Sequence, residues 1–273
     1  MKAFFTTLFL FNGMFFPAHA QVDAWSYADT DLRPGESVPI NVEERQKELH
    51  PPSEAEEEND PLEPVNRVIF DFNETVDGYL LEPVSVIYKE AFPEFVRERV
   101  GYVLRNLSEP IVLVNNLLQG ELEDAEGTLR RFLINSTVGV AGIFDVSTDL
   151  DIPYKKKDFG LTLASWGCGP GPYLVLPILG PSNLRDSFGR IGDYAFDPIN
   201  WWAYTTDNAV YSNARTGVQI VDAKTDNLEV INDLRKNSID YYYSLRAWYN
   251  ARRKDLILKE REALDTPRPD DDD

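Results

Sequence analysis

The 273-residue chain has very little histidine and cysteine. It contains two histidines, His19 and His50, and a single cysteine, Cys168. Histidine is the commonest general base and a frequent zinc ligand, so its absence after residue 50 argues against a Ser-His-Asp triad or a His-ligated metal site in that region. A lone cysteine forms no disulfide within its chain, and without a histidine partner it is a poor nucleophile. We therefore interpret Cys168 as a small residue in a tight turn.

Recognisable catalytic and cofactor motifs are also missing. The sequence has no nucleophile elbow, no phosphate-binding loop and no dinucleotide fingerprint. Paired carboxylates can catalyse glycoside hydrolysis, but the one acidic cluster stands where a helix is expected to begin, and acids there usually stabilise the helix dipole. Its members are Glu121, Glu123, Asp124 and Glu126. The sequence therefore predicts a protein that is not an enzyme, with no catalytic residue, metal or cofactor. A lipid hydrolase is the least favoured function.

Long apolar runs are absent after the first twenty residues. Those residues have the order of a cleavable secretory signal: Lys2, an apolar stretch over residues 4–16, and Ala18-His19-Ala20 before a mature start at Gln21. The stretch is broken near its middle and is short for a membrane span, which needs about 20 residues. We therefore predict an exported protein with a signal peptide at residues 1–20 and no simple spanning helix.

Negative charge is concentrated at the two ends of the mature chain. Residues 21–63 carry 13 acidic and 3 basic side chains, and residues 265–273 carry 5 and 1, within a formal net charge of −19. Such segments bury too little apolar surface to offset chain entropy. We predict disordered acidic segments at residues 21–59 and 265–273 around a helical domain at residues 60–264. Nucleic acid is an unlikely partner for so acidic a chain, because phosphate binding needs clustered cations.

Apolar residues at three- and four-residue spacing predict a mainly α domain. The longer predicted helices, with breaks where Pro or Gly intervenes, cover residues 64–81, 84–92, 93–107, 111–118, 121–138, 198–223 and 228–264, and shorter ones cover residues 159–166 and 182–192. Residues 167–180 between them are too rich in glycine and proline for a continuous helix or a central strand. They predict an irregular Gly/Pro-rich hairpin.

Three features each permit two interpretations. The apolar part of the hairpin, residues 173–179, is either a buried core crossing or an apolar rim in contact with lipid. The aromatic residues concentrated at residues 201–211 and 241–249 are either a helical core or a belt at a membrane–water interface. The basic run at residues 155–157 is either a solvated loop or a contact with anionic lipid head groups.

A series of short motifs resembles the MlaA/VacJ family. Its first blocks are Asp60-Pro61-Leu62-Glu63-Pro64-Val65-Asn66-Arg67, Phe70-Asp71-Phe72-Asn73, Asn106-Leu107-Ser108-Glu109-Pro110, Asn115-Asn116-Leu117-Leu118-Gln119-Gly120, Arg131-Phe132-Leu133-Ile134-Asn135-Ser136-Thr137-Val138-Gly139 and Gly142-Ile143-Phe144-Asp145-Val146. The strongest block comprises Asp158-Phe159-Gly160-Leu161-Thr162-Leu163, Trp166-Gly167, Gly169 to Tyr173, Leu176-Pro177, Gly180-Pro181 and Leu184-Arg185-Asp186. Each motif is weak alone, but their order and spacing are specific over residues 60–192.

The resemblance implies a ring-like bundle of amphipathic helices that lies in the membrane interface around an amphipathic channel. The implied function is removal of mislocalised phospholipids from the outer leaflet of the bacterial outer membrane and transfer toward a periplasmic lipid carrier. The implied partners are phospholipid, an outer-membrane porin and a periplasmic lipid-carrier protein. Lipid-binding roles are expected for Phe72, Asn73, Tyr173, Leu174, Leu176, Ile178 and Leu179.

The sequence departs from the family at the predicted cleavage site. Typical members carry a lipid-anchored cysteine there, whereas this chain has Ala20-Gln21. We therefore expect attachment at the periplasmic face of the outer membrane through helices or a partner rather than a lipid tether. The alternative function is a soluble periplasmic lipid-binding or adaptor protein.

Overall fold

The computed structural model describes residues 60–265, with side chains up to residue 261, and this part of the chain is mainly helical. The mainly α fold class predicted from the sequence is confirmed. The predicted signal peptide at residues 1–20, the acidic segment at residues 21–59 and nearly all of the acidic tail at residues 265–273 lie outside the described residues.

The first half of the domain is a chain of helices punctuated by proline and glycine. Its elements are α1 (Glu63–Val76), a π-helical turn (Asp77–Leu81), α2 (Glu82–Ala91), α3 (Glu94–Gln119) and α4 (Leu122–Thr137). Pro64 and Pro83 occupy the first turns of α1 and α2, where a missing N–H costs no helical hydrogen bond. Gly120 ends α3 with a φ of 81°, a left-handed conformation that favours glycine.

The predicted break at Pro110 is wrong, because α3 continues through it. A proline inside a helix removes one hydrogen bond and crowds the preceding turn. Here Arg215 donates a hydrogen bond from Nη2 to the backbone carbonyl of Leu107 at 3.1 Å, in the turn before the proline. Packing of α4 along α3 supports the same stretch. Tertiary contacts therefore stabilise a helix that local sequence would divide.

The middle of the domain contains two short helices, a hairpin and a longer helix. These are α5 (Val146–Asp149), α6 (Phe159–Ser165), β1 (Tyr173–Leu176), β2 (Gly180–Asn183) and α7 (Leu184–Phe196). Asp145, Asp158 and Asn183 cap the three helices, each accepting a hydrogen bond from a backbone N–H in the first turn.

The hairpin is more regular than predicted. Its two four-residue strands pair antiparallel, with Tyr173 opposite Asn183 and Leu176 opposite Gly180. Pro181 is accommodated in this two-stranded sheet, where it lies opposite Val175. The prediction of an irregular segment at residues 167–180 therefore holds for residues 167–172 but is wrong for the strands, and the helix predicted from residue 182 begins at Leu184.

The last three helices divide the chain differently from the prediction. They are α8 (Pro198–Thr205), α9 (Ala209–Asn237) and α10 (Tyr241–Asp265). The polar stretch at residues 224–227 suggested a helix end, but its side chains are bonded inside the protein: Lys224 to Asp77, and Asn227 to the carbonyl of Ala223. The helix therefore continues past residue 227.

Contacts between these elements close into a circuit. The order is α1, β1, β2, α7, α6, α3, α9, α2 and the π-helical turn, which returns to α1. Helix α10 contacts several members of the circuit, among them α6, α7, β2 and α9. This arrangement agrees with the predicted ring-like bundle. Helix α9 packs against α2, α3, α8 and α10.

The distribution of polar and apolar side chains is inverted relative to an ordinary globular protein. Among the described residues, the buried polar and charged side chains outnumber the buried apolar ones. Large apolar side chains are exposed along α1, α2, α4, α7 and α8. None of the described helices combines the length and the hydropathy needed to cross a bilayer.

Buried ion pairs fasten neighbouring elements together. Arg131 on α4 is 2% exposed and binds Glu109 on α3 at 2.9 Å and Asp145 before α5 at 3.0 Å. Burial raises the pKa of Glu109 to about 7, although Arg131 opposes the shift. The charge of Arg131 is therefore needed to keep two acids inside the domain.

We expect Arg131→Met to lower the free energy of unfolding by about 3 to 5 kcal/mol, because it leaves Glu109 and Asp145 without their cation. Denaturant unfolding of the purified protein measures this change. Arg130→Met is the matched control: Arg130 is exposed and pairs with Glu126 on the helix surface, so its loss should cost less than about 1 kcal/mol. Equal losses in the two variants would contradict this role for Arg131.

Candidate functional site

The hairpin is bound to α1 through two asparagine side chains. Asn66 donates from Nδ2 to the carbonyl of Tyr173 at 3.1 Å and accepts the N–H of Val175 at Oδ1 at 2.9 Å. Asn73 donates to the carbonyl of Leu176 at 2.9 Å and accepts the N–H of Ile178 at 2.6 Å. Each carboxamide thus uses its donor and its acceptor as a backbone amide on a neighbouring strand would.

The spacing of the two asparagines explains why both reach the same strand. They are seven residues apart, which is about two helical turns, so they lie on one face of α1. Both side chains are buried. We refer to Asn66, Asn73 and the backbone groups of residues 173–178 that they bind as the asparagine clamp.

The turn between the strands is strained. Ile178 has a φ of 66° and Gly180 a φ of 72°. The left-handed conformation suits glycine, but for a β-branched residue it costs on the order of 1 to 3 kcal/mol. Asn73 binds the N–H of Ile178, and the neighbouring Leu179 side chain is 1% exposed. The clamp and this buried leucine together hold the turn in its strained form.

The residues predicted to bind lipid fall into two groups. Phe72 is 49% exposed, and Leu174, Leu176 and Ile178 are partly accessible. Tyr173 and Leu179 are almost fully buried and offer no surface to an acyl chain, so the lipid contacts predicted for them are corrected. Asn73 is also buried, and its observed partners are backbone groups of the hairpin.

The hairpin was interpreted either as a buried core crossing or as an accessible apolar rim, and the two faces of β1 differ in this respect. Tyr173 and Val175 on β1 point into a core shared with Ile220, Tyr242 and Tyr249. The alternate residues, Leu174 and Leu176, remain partly accessible, as the period of two in a strand requires. The hairpin is therefore a core crossing on one side and an accessible apolar surface on the other.

A buried charged cluster lies where α6, α7 and α10 meet. Arg253 binds Asp158 at 2.7 Å and Asp186 at 2.8 Å, and the hydroxyl of Tyr249 donates to Asp186 at 2.6 Å. Burial opposes ionisation of Asp158, but the guanidinium of Arg253 outweighs it and holds the pKa of that carboxyl below its usual range. Arg253 lowers the pKa of Asp186 in the same way.

A second charged cluster surrounds the π-helical turn. Asp77 is fully buried and binds Lys224 and Arg235 of α9, each at 2.7 Å. Arg235 also binds Glu74 and Glu82, on either side of the turn, at 3.0 Å. Burial lowers the pKa of Lys224, although Asp77 opposes that shift. Because π-helical turns often occur at functional sites, this cluster is a candidate part of the site.

The two aromatic groups take different positions. On α10, Tyr242 and Tyr249 are core residues. On α8 and at the start of α9, the aromatic residues are exposed by 48 to 64%; they are Trp201, Trp202, Tyr204 and Tyr211. The core interpretation is therefore correct for the C-terminal group, and the group at residues 201–211 remains a candidate membrane contact.

Both interpretations of the basic run at residues 155–157 are wrong for Lys157. This lysine is buried and binds Glu121 and Glu260 at 2.6 and 2.5 Å, so it is neither solvated nor available to a lipid head group. Lys155 is exposed and pairs with Asp124. Cys168 is also exposed, in the turn after α6.

Sequence reasoning missed Asn66 and the charged partners of Asp77. The signal for Asn66 was its seven-residue spacing from Asn73, which places both on one helix face. No comparable signal exists for Lys224 and Arg235, because they lie about 150 residues from Asp77 and only the tertiary fold brings them together.

The chain matches the model of the MlaA lipoprotein family over residues 58–256. It is 31% identical over 197 residues to the intermembrane phospholipid transport system lipoprotein MlaA of Escherichia coli K12, covering 70% of this chain and 75% of that protein. The corresponding protein of Haemophilus influenzae is 32% identical, covering 71% and 77%. A protein of Rickettsia felis is 34% identical, covering 77% and 82%.

The fold is also similar to a solved structure reported as the structural basis for maintenance of bacterial outer membrane lipid asymmetry. The TM-score is 0.62 with 30% sequence identity, and the match covers 72% of this chain and 98% of the solved chain.

We expect Asn73→Ala to accelerate amide hydrogen exchange at Ile178 about tenfold, because the bond to Oδ1 contributes about 1 to 1.5 kcal/mol. Exchange measured residue by residue should leave the amide of Val175 unchanged. Asn66→Ala is the matched control and should give the reverse pattern. Unaltered exchange at Ile178 in Asn73→Ala would show that the clamp does not hold the turn.

Proposed function

Because this chain belongs to the MlaA lipoprotein family, we propose that it removes mislocalised phospholipid from the outer leaflet of the bacterial outer membrane and passes it toward a periplasmic carrier, which maintains lipid asymmetry. The observation that carries the proposal is the inverted arrangement of side chains: the described domain buries many charged and polar groups and exposes many large apolar ones, on elements whose contacts close into a circuit.

This arrangement suits a protein that moves a head group past hydrocarbon. A charged head group is costly to place in an apolar medium unless polar partners replace its water. In the proposed mechanism the polar interior supplies those partners, and acyl chains stay near apolar side chains. Because no energy source is needed for such a path, the direction of transfer would come from the partner proteins.

The accessible side of the hairpin is proposed to contact acyl chains. Leu174, Leu176 and Ile178 supply apolar surface there, and Phe72 adds an exposed ring on α1, next to Asn73 of the clamp. Since the clamp holds a strained turn, the hairpin is suited to change position when a lipid passes. We assign Asn73 a positioning role in this step, because its side chain is occupied by hairpin backbone groups.

The exposed apolar faces are proposed to lie in the inner leaflet of the outer membrane, at its periplasmic face. Helix α8 supports this position, because its polar groups are bonded to nearby backbone: Trp201 Nε1 donates to the carbonyl of Ala195 on α7 at 2.6 Å, and Thr205 donates to the carbonyl of Trp201 at 2.7 Å. Amphipathic aromatics of this kind favour the membrane–water boundary.

We further propose that the protein acts with an outer-membrane porin and a periplasmic lipid-carrier protein, and that it performs no catalysis of its own. The alternative is a soluble periplasmic lipid-binding or adaptor protein. Recovery of all the native protein in the soluble periplasmic fraction would favour that alternative over the membrane-bound transporter.

Loss of the gene should raise the amount of phospholipid in the outer leaflet, measured on whole cells with a label that does not penetrate the membrane. Among complementing variants, Ile178→Asn should restore asymmetry poorly. Asparagine adopts the left-handed conformation more readily than isoleucine, so the turn is kept while apolar surface is lost. Leu258→Asn on α10, also at an exposed leucine, is the control and should complement fully.

A deletion strain with normal lipid asymmetry would contradict the proposed function. Full complementation by Ile178→Asn would contradict only the role given to the hairpin.

Trp202→Ser should weaken partition of the purified protein into phospholipid vesicles about tenfold or more, because burial of a large apolar side chain contributes about 1.5 to 3 kcal/mol. Vesicle flotation measures the bound fraction. Leu258→Ser lies on the charged helix α10 and should bind like the unmodified protein. Equal binding by both variants would remove α8 from the membrane contact.

A further inference from the structure

A row of hydrogen-bond acceptors on α9 lacks matching donors. Gln219, Asp222 and Asp226 follow the spacing that places residues on one helix face. Gln219 is 5% exposed, and its Oε1 has no hydrogen-bond partner in the described part of the chain. Asp226 is solvent-accessible and forms no hydrogen bond or ion pair with another described residue. Only Asp222 has a bound donor, the hydroxyl of Tyr88 at 3.0 Å.

Cationic side chains stand near this row on the two neighbouring helices. Arg97 and Arg105 lie on α3 and Lys89 on α2. Desolvation by the protein atoms packed around its carboxyl group raises the pKa of Asp226, whose residue keeps an exposed surface, and the charges of all three cations oppose that shift. Lys89 is already paired with another acid, since it binds Glu229 at 3.1 Å. The row therefore has cations around it but no ion pair within it.

Arg97 has unused donors. In the described residues its one hydrogen bond runs from Nε to the carbonyl of Phe92 at 3.3 Å. The two terminal nitrogens are left for another acceptor. A guanidinium in this state is well suited to bind a phosphate group, because its planar fork matches two phosphate oxygens.

The acceptor row on α9 and the guanidinium of Arg97 need ligands of opposite charge. A buried carboxylate without a bonded cation is unfavourable, and burial, together with the charge of Asp226, raises the pKa of Asp222 to about 7. An ammonium group carries three donors and no acceptor, which matches Gln219 Oε1 and the two carboxylates. A phosphate matches Arg97. One molecule that carries both an ammonium and a phosphate group would supply a ligand to the acceptor row and to Arg97.

We propose that this cluster is a binding site for the zwitterionic head group of an amine-bearing phospholipid, with Gln219, Asp222 and Asp226 receiving the ammonium and Arg97 receiving the phosphate. The proposal rests on the proposed function, because it assigns the head-group class that the phospholipid path prefers. A phospholipid with a hydroxylated, uncharged head-group terminus could donate hydrogen bonds to the acceptor row, but it would bring no positive charge to the two carboxylates.

The test uses the purified full-length protein and vesicles of equimolar phosphatidylethanolamine and phosphatidylglycerol. Protein is separated from the vesicles, and its bound lipids are quantified by mass spectrometry. The unmodified protein should hold several times more phosphatidylethanolamine than phosphatidylglycerol. The double variant Asp222→Asn/Asp226→Asn should lower that ratio at least threefold while total bound lipid is maintained. Arg97→Gln should lower the amounts of both lipids.

Asp233→Asn is the matched control. Asp233 is an exposed acid seven residues beyond Asp226 on the same helix, and it accepts a hydrogen bond from Asn237. Its replacement changes the net charge in the same direction and should leave the lipid ratio unchanged. The asparagine substitutions keep the shape of the side chains, so a folded double variant is expected.

The outcomes separate this inference from the proposed function. Absence of bound phospholipid in the unmodified protein would contradict the proposed function. Bound phospholipid without a preference, or a preference that survives in Asp222→Asn/Asp226→Asn, would overturn the head-group site alone. An equal fall of the ratio in Asp233→Asn would show a general charge effect and would also overturn it.

Discussion

Pairing of charges inside the domain is the constraint on which the rest of the structure depends. A fold whose outer surface is apolar has to place many of its polar side chains inside, and each buried charge then needs a partner close by. The partners come from different helices: Arg131 joins α4 to α3, Arg253 joins α10 to α6 and α7, and Lys224 joins α9 to the π-helical turn. The same contacts that satisfy the charges thus fasten separate elements of the domain to one another.

At the hairpin, buried neutral groups are also satisfied by partners from another element. A two-stranded sheet leaves backbone donors and acceptors open along its outer edges. Asn66 and Asn73 satisfy part of one edge from a helix, which is an uncommon neighbour for a strand. The two asparagines attach the hairpin to α1 through four directed hydrogen bonds. One face of β1 then packs on the core, and the other face remains accessible.

Local sequence predicted the helical class and most helix starts, because proline, capping residues and apolar spacing act within one or two turns. It failed where a distant side chain decides the outcome. Helix α3 passes Pro110 with support from Arg215, and α9 passes its polar stretch because Asp77 receives Lys224. Lys157 looked like part of a surface run, yet Glu260 from the last helix draws it inside. The asparagine clamp was half predicted: Asn73 was identified by resemblance, and its spacing from Asn66 was visible but unused.

The asparagine clamp also bears on how the chain folds. It joins residues more than 100 positions apart in the chain, from α1 to the hairpin, so this contact is made after most of the intervening helices exist. Until then the charged faces meant for the interior remain in water, and the apolar outer faces lack a partner. We therefore expect the clamp to be among the last contacts to form, and partly folded chains that expose apolar faces to associate with one another in solution.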